Sequence, residues 1–162
     1  MSSRTLFVIA LVSGLTIGAA SHALADDRSA ANAPLAAARQ SQAETLYRQG
    51  LLQYEKGDLA AAIALYDDAL ILDPTSAEAY SARAGAQGRQ GNYEAAIEDY
   101  SSAIALNDEL AAAYGGRGLA FALAGDPTRG VQDLWTAAQL FRQQDRPEQY
   151  SQTLAIIRNL AP

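Results

Sequence analysis

From residue 43 onward the apolar positions fall on one face of short helical segments. Ala62, Ile63, Tyr66, Ala69 and Leu70 recur at spacings of three and four, which predicts an amphipathic helix over about Leu59 to Leu72. Upstream, Ala43 to Lys56 is rich in alanine, leucine and glutamate, a composition with good helix propensity, and Gly57 can take the left-handed conformation that ends a helix. Asp58 is placed to cap the next helix, Asp73-Pro74 to stop it, and Thr75-x-x-Glu78 reads as a capping box that opens another. The pattern is a pair of antiparallel helices joined by a tight turn.

The same punctuation returns at a fixed interval of 34, at Gly57, Gly91 and Gly125, and the register also aligns Ala69/Ala103/Ala137, Leu72/Leu106/Leu140 and Ile63/Ile97/Val131. Comparing residues 43–76 with 77–110 gives ten identities, among them Gln53, Tyr66 and Leu72, each recurring 34 positions later. The later turns read Gly91-Asn92 and Gly125-Asp126-Pro127, and the small residues Ala62, Ala96 and Gly130 stand where the two helices of one unit have to touch. A self-similarity of this length is the period of a helix-turn-helix solenoid unit.

On these residues the chain resembles the tetratricopeptide repeat (TPR) family from 43 to about 142. The family places a bulky residue fourth, Gly or Ala eighth, Gly fifteenth, Ala twentieth, an aromatic twenty-fourth, Ala twenty-seventh and Pro thirty-second. Unit one matches with Leu46, Gly50, Gly57, Ala62, Tyr66, Ala69 and Pro74; unit two with Tyr80, Ala84, Gly91, Ala96, Tyr100 and Ala103, but Asp108 replaces the proline. Unit three matches with Tyr114, Gly118, Gly125 and Ala137 and departs at Gly130, Leu134 and Arg142, so its second helix is open to a shift or a different packing. The resemblance implies an all-α fold, a right-handed α-solenoid of three TPR units at 43–76, 77–110 and 111–144. Residues 145–162 follow as a C-terminal capping helix, with Asp145 as capping acid, Pro147 in the first turn and an apolar stripe of Tyr150, Leu154, Ile157 and Leu160. A truncated fourth repeat would pack in the same way.

The N-terminus has another character. Arg4 precedes an uncharged stretch from Thr5 to Ala25 with an apolar core at Leu6 to Leu15, and Ala23-Leu24-Ala25 presents small residues at the positions a signal peptidase requires. Residues 1–25 therefore read as a secretory signal peptide, with an uncleaved N-terminal helix as the alternative. Residues 26–42 are expected as a flexible tether, loosest to about 36 around Asn32 and Pro34, and the start of the first helix. The expected place is outside the cytoplasm, in the periplasm, or in the thylakoid lumen if the chain is cyanobacterial, a weaker resemblance resting on composition.

Composition narrows the chemistry. The 162 residues carry a net charge of -6, and removal of residues 1–25 leaves about -7 on 137 residues. An acidic surface repels phosphate backbones and anionic lipid, so nucleic-acid and electrostatic membrane binding are disfavoured. The only histidine is His22, the only methionine Met1, and cysteine is absent. A mature chain without the three excludes thiol nucleophiles, disulfides, histidine acid/base catalysis and zinc sites of Cys and His. Neither phosphate loop nor calcium loop appears, and the adjacent carboxylates Asp67-Asp68 and Asp108-Glu109 have no catalytic partner. No enzymatic activity and no small-molecule cofactor or metal are expected.

In the TPR family the first helices of successive units line a concave groove through the second, fifth, sixth, ninth, twelfth and thirteenth positions. Carried over, the resemblance implies a peptide-binding groove with Tyr47, Arg48, Leu51, Tyr54, Ser81, Gly85, Arg89, Gly115 and Leu119 in its lining. Tyr47, Leu51, Tyr54 and Leu119 suit a peptide with apolar anchors. Arg48, Arg89 and Arg117 are either partners for acidic groups or solvated charges. The glycines at 85, 88, 115, 116 and 118 each cost a helix about 1 kcal/mol relative to alanine. They either admit a partner backbone or permit tight packing between units.

The family's two-carboxylate clamp for acidic chaperone tails needs Lys, Asn and Arg where this chain has Tyr47, Leu51, Ala82, Ala112 and Gly116, so no such tail is expected as partner. Trp135 is expected in packing rather than as a ligand platform. The reading is a non-catalytic protein or peptide interaction module, an exported scaffold or assembly factor. Its alternative is a structural protein that self-associates through faces such as that around Trp135 and Tyr150.

Overall fold

A computed structural model describes residues 17–160, with side chains from residue 33 onward. The chain divides into two units, Met1–Ala38 and Arg39–Pro162. Among the described residues the structure is all-helical, with seven helices and no strand: α1 Ile17–Lys56, α2 Leu59–Leu72, α3 Ala77–Arg89, α4 Tyr93–Leu106, α5 Ala111–Leu123, α6 Pro127–Gln143 and α7 Pro147–Leu160. No described helix is long and apolar enough to cross a membrane. The apolar core of the leader, Leu6 to Leu15, lies outside the described residues.

The segment expected as a tether differs. Residues 26–36 are helical and form part of α1, with Pro34 inside the helix. Ala33 before Pro34 and Ala36 to Ala38 after it are the residues of highest helix propensity.

The turns follow from backbone stereochemistry. Gly57, Gly91 and Gly125 have φ of 83°, 85° and 94°, the left-handed region in which glycine carries no Cβ penalty. The fourth such turn uses Asp145 at φ 53°, a residue type that tolerates this region. Asp145 therefore occupies the helix-ending position held by glycine elsewhere, and is not the capping acid of α7. Asp58 does cap α2, accepting the Ala61 N–H at 3.1 Å. At α3 the cap is Ser76, which accepts from Ala79 N at 3.2 Å. The expected capping Thr75 instead donates its backbone N–H and its hydroxyl to Asp73 Oδ1.

Within the second unit successive helices pack on their neighbours, and α3 also touches α5. Small residues make the closest contacts: Ala62, Ala84, Ala96, Ala113 and Ala137 are fully buried. Tyr66 and Leu134 are the largest fully buried side chains. Gly118 of α5 and Gly130 of α6 meet backbone to backbone, since a Cβ added to either would stand 2.7 or 2.6 Å from the other's carbonyl oxygen. The departure from alanine at Gly130 is thus the way α6 reaches α5. Its burial stripe, Gly130, Leu134, Ala137, Ala138 and Phe141, keeps the spacing of three and four.

Two arginines tie each unit to the one before it. Arg83 Nε and Nη2 donate to both oxygens of Asp99, each at 2.7 Å, and Nη1 donates to Asp67 on α2 at 2.5 Å. Arg117 repeats this one unit later, with Nε and Nη2 on Asp133 at 2.6 and 3.0 Å and Nη1 on the Ser101 hydroxyl at 3.1 Å. Asp67 is therefore paired. Arg117 is committed to the core of the array, neither a free groove charge nor a solvated one.

Candidate peptide-binding groove

Helices α1, α3 and α5 carry the residues proposed from the sequence, and the structure gathers the α1 group most tightly. Tyr47, Leu51 and Tyr54 are half-buried and pack around Tyr66, which reaches them from α2, together with Ala82 and Ala86 of α3. The Tyr47 and Tyr66 rings lie 6.0 Å apart at 43°, a tilted pairing favourable to aromatic quadrupoles. The Tyr66 ring crosses α1 over Gly50, where an added Cβ would stand 2.5 Å from its Cε1. Glycine at the eighth position is a steric requirement of that aromatic.

The charged groups are largely committed. Arg48 is exposed and donates through Nε to Glu44 Oε1 at 2.8 Å one turn back. Arg89 lies over the Tyr54 ring, 4.7 Å from its centre, and its Nη1 donates to the Tyr54 carbonyl at 3.5 Å. That cation–π contact joins α1 to α3 and holds the Tyr54 ring in place. Ser81 and Gly85 lie on α3, half-buried. On α5 the exposed side chains are apolar: Leu119 is 39% exposed and, one turn on, Leu123 is 62% exposed. Gly115 has Ala137 of α6 as its nearest neighbour, 3.7 Å from where a Cβ would stand.

One cavity was not legible from the sequence. It measures about 310 Å³ between Gln40 to Tyr47 of α1, Asp73 at the end of α2 and Ser76 to Ala79 of α3. Glu44, Asp73 and Glu78 line it, and burial together with Glu78 and Glu44 pushes the Tyr47 phenol above its ordinary value. Among the described residues no group of three or more His, Cys, Asp or Glu is arranged to hold a metal ion. Trp135, expected in packing, is 49% exposed.

Burial also raises the phenols of Tyr66 and Tyr100 to about 12, with smaller contributions from neighbouring tyrosines. Both are protonated in the fold well past the pH at which a free tyrosine ionises, near 10. Their contribution to stability is whole below pH 10 and lost as pH rises toward 12. We expect urea midpoints to be flat from pH 8 to 10 and to fall above 10. Tyrosinate absorbance that titrates completely below pH 10.5 without unfolding would contradict this.

The TPR repeat family matches residues 50–91 and 89–125. No curated protein sequence matches the chain significantly. Among solved structures, the first TPR of Spaghetti (RPAP3), bound to the HSP90 peptide SRMEEVD, is 26% identical with a TM-score of 0.61, covering 72% of this chain and 95% of that one. The Arabidopsis OM64 TPR domain is 21% identical with a TM-score of 0.67, covering 75% and 98%. SycD, the type III secretion translocator chaperone of Yersinia enterocolitica, is 17% identical with a TM-score of 0.68, covering 72% and 81%. The last two likenesses concern the fold. The repeat of 34, the all-helical array with its glycine turns, and these matches agree: residues 50–125 match tetratricopeptide repeats, and the fold is that of a tetratricopeptide solenoid.

Proposed function

We propose that this protein is an exported, non-catalytic interaction module that holds a peptide or a segment of a partner protein along α1, α3 and α5. The observation that carries the proposal is the preassembled aromatic and apolar lining: Tyr47, Leu51 and Tyr54 held in one cluster, with Leu119 and Leu123 exposed on α5. Fixed aromatic rings and exposed leucines at helical spacing are what peptide anchors fit. Peptide binding by a related array supports it, since the first TPR of Spaghetti is seen with an HSP90 peptide. That tail is not the proposed ligand here. Tyr47, Leu51, Ala82, Ala112 and Gly116 supply no cationic or amide group to hold two carboxylates, and the cavity beside Tyr47 is lined by carboxylates. The acidic chain also disfavours nucleic acid. Export rests on the leader residues Arg4 to Ala25, and the protein used is the form recovered from the exported fraction; its absence there would remove that part of the proposal.

The test is an array of random N-acetylated, C-amidated dodecapeptides probed with the wild type and with Tyr47→Ala/Leu51→Ala. Dodecapeptides that bind the wild type are expected to lose affinity about tenfold or more to the double variant, while SRMEEVD binds neither. Equal binding by both proteins, or tight binding of SRMEEVD, would sink the reading. Self-association is the second reading, favoured by the exposed Trp135; sedimentation as an oligomer that Trp135→Ala dissolves would establish it.

A further inference from the structure

The glycines of the first helices divide into two groups. At Gly50, Gly116 and Gly118 an added Cβ would strike the Tyr66 ring, the Tyr100 ring or the Gly130 carbonyl, so packing demands glycine. At Gly85 it does not. The nearest atoms to an added Cβ there are the Tyr100 hydroxyl at 3.5 Å and the Tyr54 hydroxyl at 3.9 Å, ordinary contact distances. A glycine in mid-helix that packing does not require carries a penalty in helix propensity with no return from the fold.

The two atoms beside Gly85 are polar and come from different helices, Tyr54 from α1 and Tyr100 from α4. Among the described residues neither hydroxyl has a hydrogen-bond partner; Tyr54 is bonded through its carbonyl, to Arg89. One unit earlier stands an equivalent group. Tyr66, which holds in unit one the place that Tyr100 holds in unit two, is fully buried, and its hydroxyl has no partner either. Because its ring crosses Gly50 from α2, the hydroxyl at the far end enters the layer formed by Leu51, Tyr54 and Ala82. Unsatisfied donors are rare inside proteins, and the Tyr66 hydroxyl is one in the layer of unit one; the hydroxyls of Tyr54 and Tyr100, open to solvent, flank a bare stretch of backbone in unit two.

We propose that Gly85 marks where the main chain of a bound ligand comes closest to the protein, with a ligand carbonyl oxygen accepting hydrogen bonds from the hydroxyls of Tyr54 and Tyr100. This deepens the groove reading above and rests on it. The occupant is an extended polypeptide, not a helix. Helix carbonyls are already bonded along the helix, whereas an extended chain offers its carbonyls outward. Packed helices stand about 8–10 Å apart and an extended chain advances about 3.3 Å per residue. Apolar side chains on α1 and α5 select the sequence, and the Gly85 notch holds the backbone irrespective of it.

The test takes dodecapeptides that bind on the random array and replaces their amides one at a time by esters, whose carbonyl is a weaker acceptor. In the wild type one ester position is expected to weaken binding about 3- to 10-fold. In Tyr54→Phe/Tyr100→Phe the same ester is expected to cost nothing further, as a double-mutant cycle requires of interacting groups. Gly85→Leu should abolish binding, whereas Gly85→Ala should weaken binding yet raise the melting temperature. An ester scan without such a position, an equal ester penalty in the double phenylalanine variant, or a lowered melting temperature in Gly85→Ala would each overturn the proposal. If Tyr47→Ala/Leu51→Ala abolishes binding while the Gly85 and tyrosine variants bind as the wild type does, the groove reading stands and this one falls. If no dodecapeptide binds, both fall.

Discussion

Arg83→Met is expected to lower folding stability by about 3 kcal/mol in urea unfolding, the lower end of the range for breaking one side of a buried ion pair. The reason lies in what remains. Asp99 is buried, and its carboxylate accepts two charge-assisted bonds from Arg83. Methionine fills much of the arginine's volume but leaves that largely buried carboxylate without its two charge-assisted donors. The same arginine spans α3, α4 and, through Asp67, α2, so the loss also loosens the junction between units one and two. Removing both charges is different: Arg83→Met/Asp99→Leu should recover most of the loss, because hydrophobic isosteres often match a buried pair. The corresponding Arg117→Met should cost less, since its third contact is the Ser101 hydroxyl rather than a carboxylate. A single-variant loss no larger than that of an ordinary surface substitution, about 0.5 kcal/mol, would show that the staple does not carry the junction. So would a double variant no better than the single one.

Gly118→Ala is the second large effect, with an expected loss of about 3 kcal/mol at a site where helix propensity alone favours alanine by about 1 kcal/mol. The added methyl would stand 2.7 Å from the Gly130 carbonyl oxygen, 3.0 Å from Leu134 Cγ and 3.2 Å from Asp133 Cβ. The first of these is backbone and the second belongs to a side chain only 1% exposed. Neither can move aside, so α5 and α6 must separate. Gly130→Ala meets the reciprocal obstacle at the Gly118 carbonyl. Opposite signs for Gly118→Ala and Gly85→Ala in thermal unfolding would confirm that chemically identical glycines in neighbouring helices serve different ends; a Gly118→Ala protein as stable as the wild type would refute the steric account.

The repeat, the helices and their turns were legible because they rest on local rules. A glycine able to adopt positive φ, an acid at Asp58 or Asp126 and a stripe at spacings of three and four act within a few residues of themselves. Where two local candidates competed, sequence reading chose wrongly. Thr75 and Ser76 are both capable caps, and the choice of Ser76 followed from Thr75 being drawn to Asp73. Asp145 looked like a cap because acids are good ones, yet the turn needed a residue with positive φ and the aspartate took that place.

The candidate groove was legible only in part. Tyr47, Leu51 and Tyr54 could be assigned by their register within the repeat, and they do meet. Tyr66 and Tyr100 were visible as a repeated column but not as groove chemistry, because they stand on second helices and reach the groove layer only by crossing the glycines of first helices. The signal was an aromatic recurring at the repeat interval, at Tyr66 and Tyr100, although the glycines they cross, Gly50 and Gly116, do not share that interval. The cavity beside Tyr47 has no such signal, being bounded by three helices at once.

The sequence by itself determined the period, the helix-turn-helix unit, the number of units and the acidic, cysteine-free chemistry available to them, since each of these is a property of short segments or of composition. Only the tertiary structure decided which arginines are staples and which are free, which glycines are steric necessities, and which hydroxyls are left without partners. Those are properties of distances between groups far apart along the chain, 16 or 35 positions in the arginine contacts, and they come into being when one helix is laid against the next.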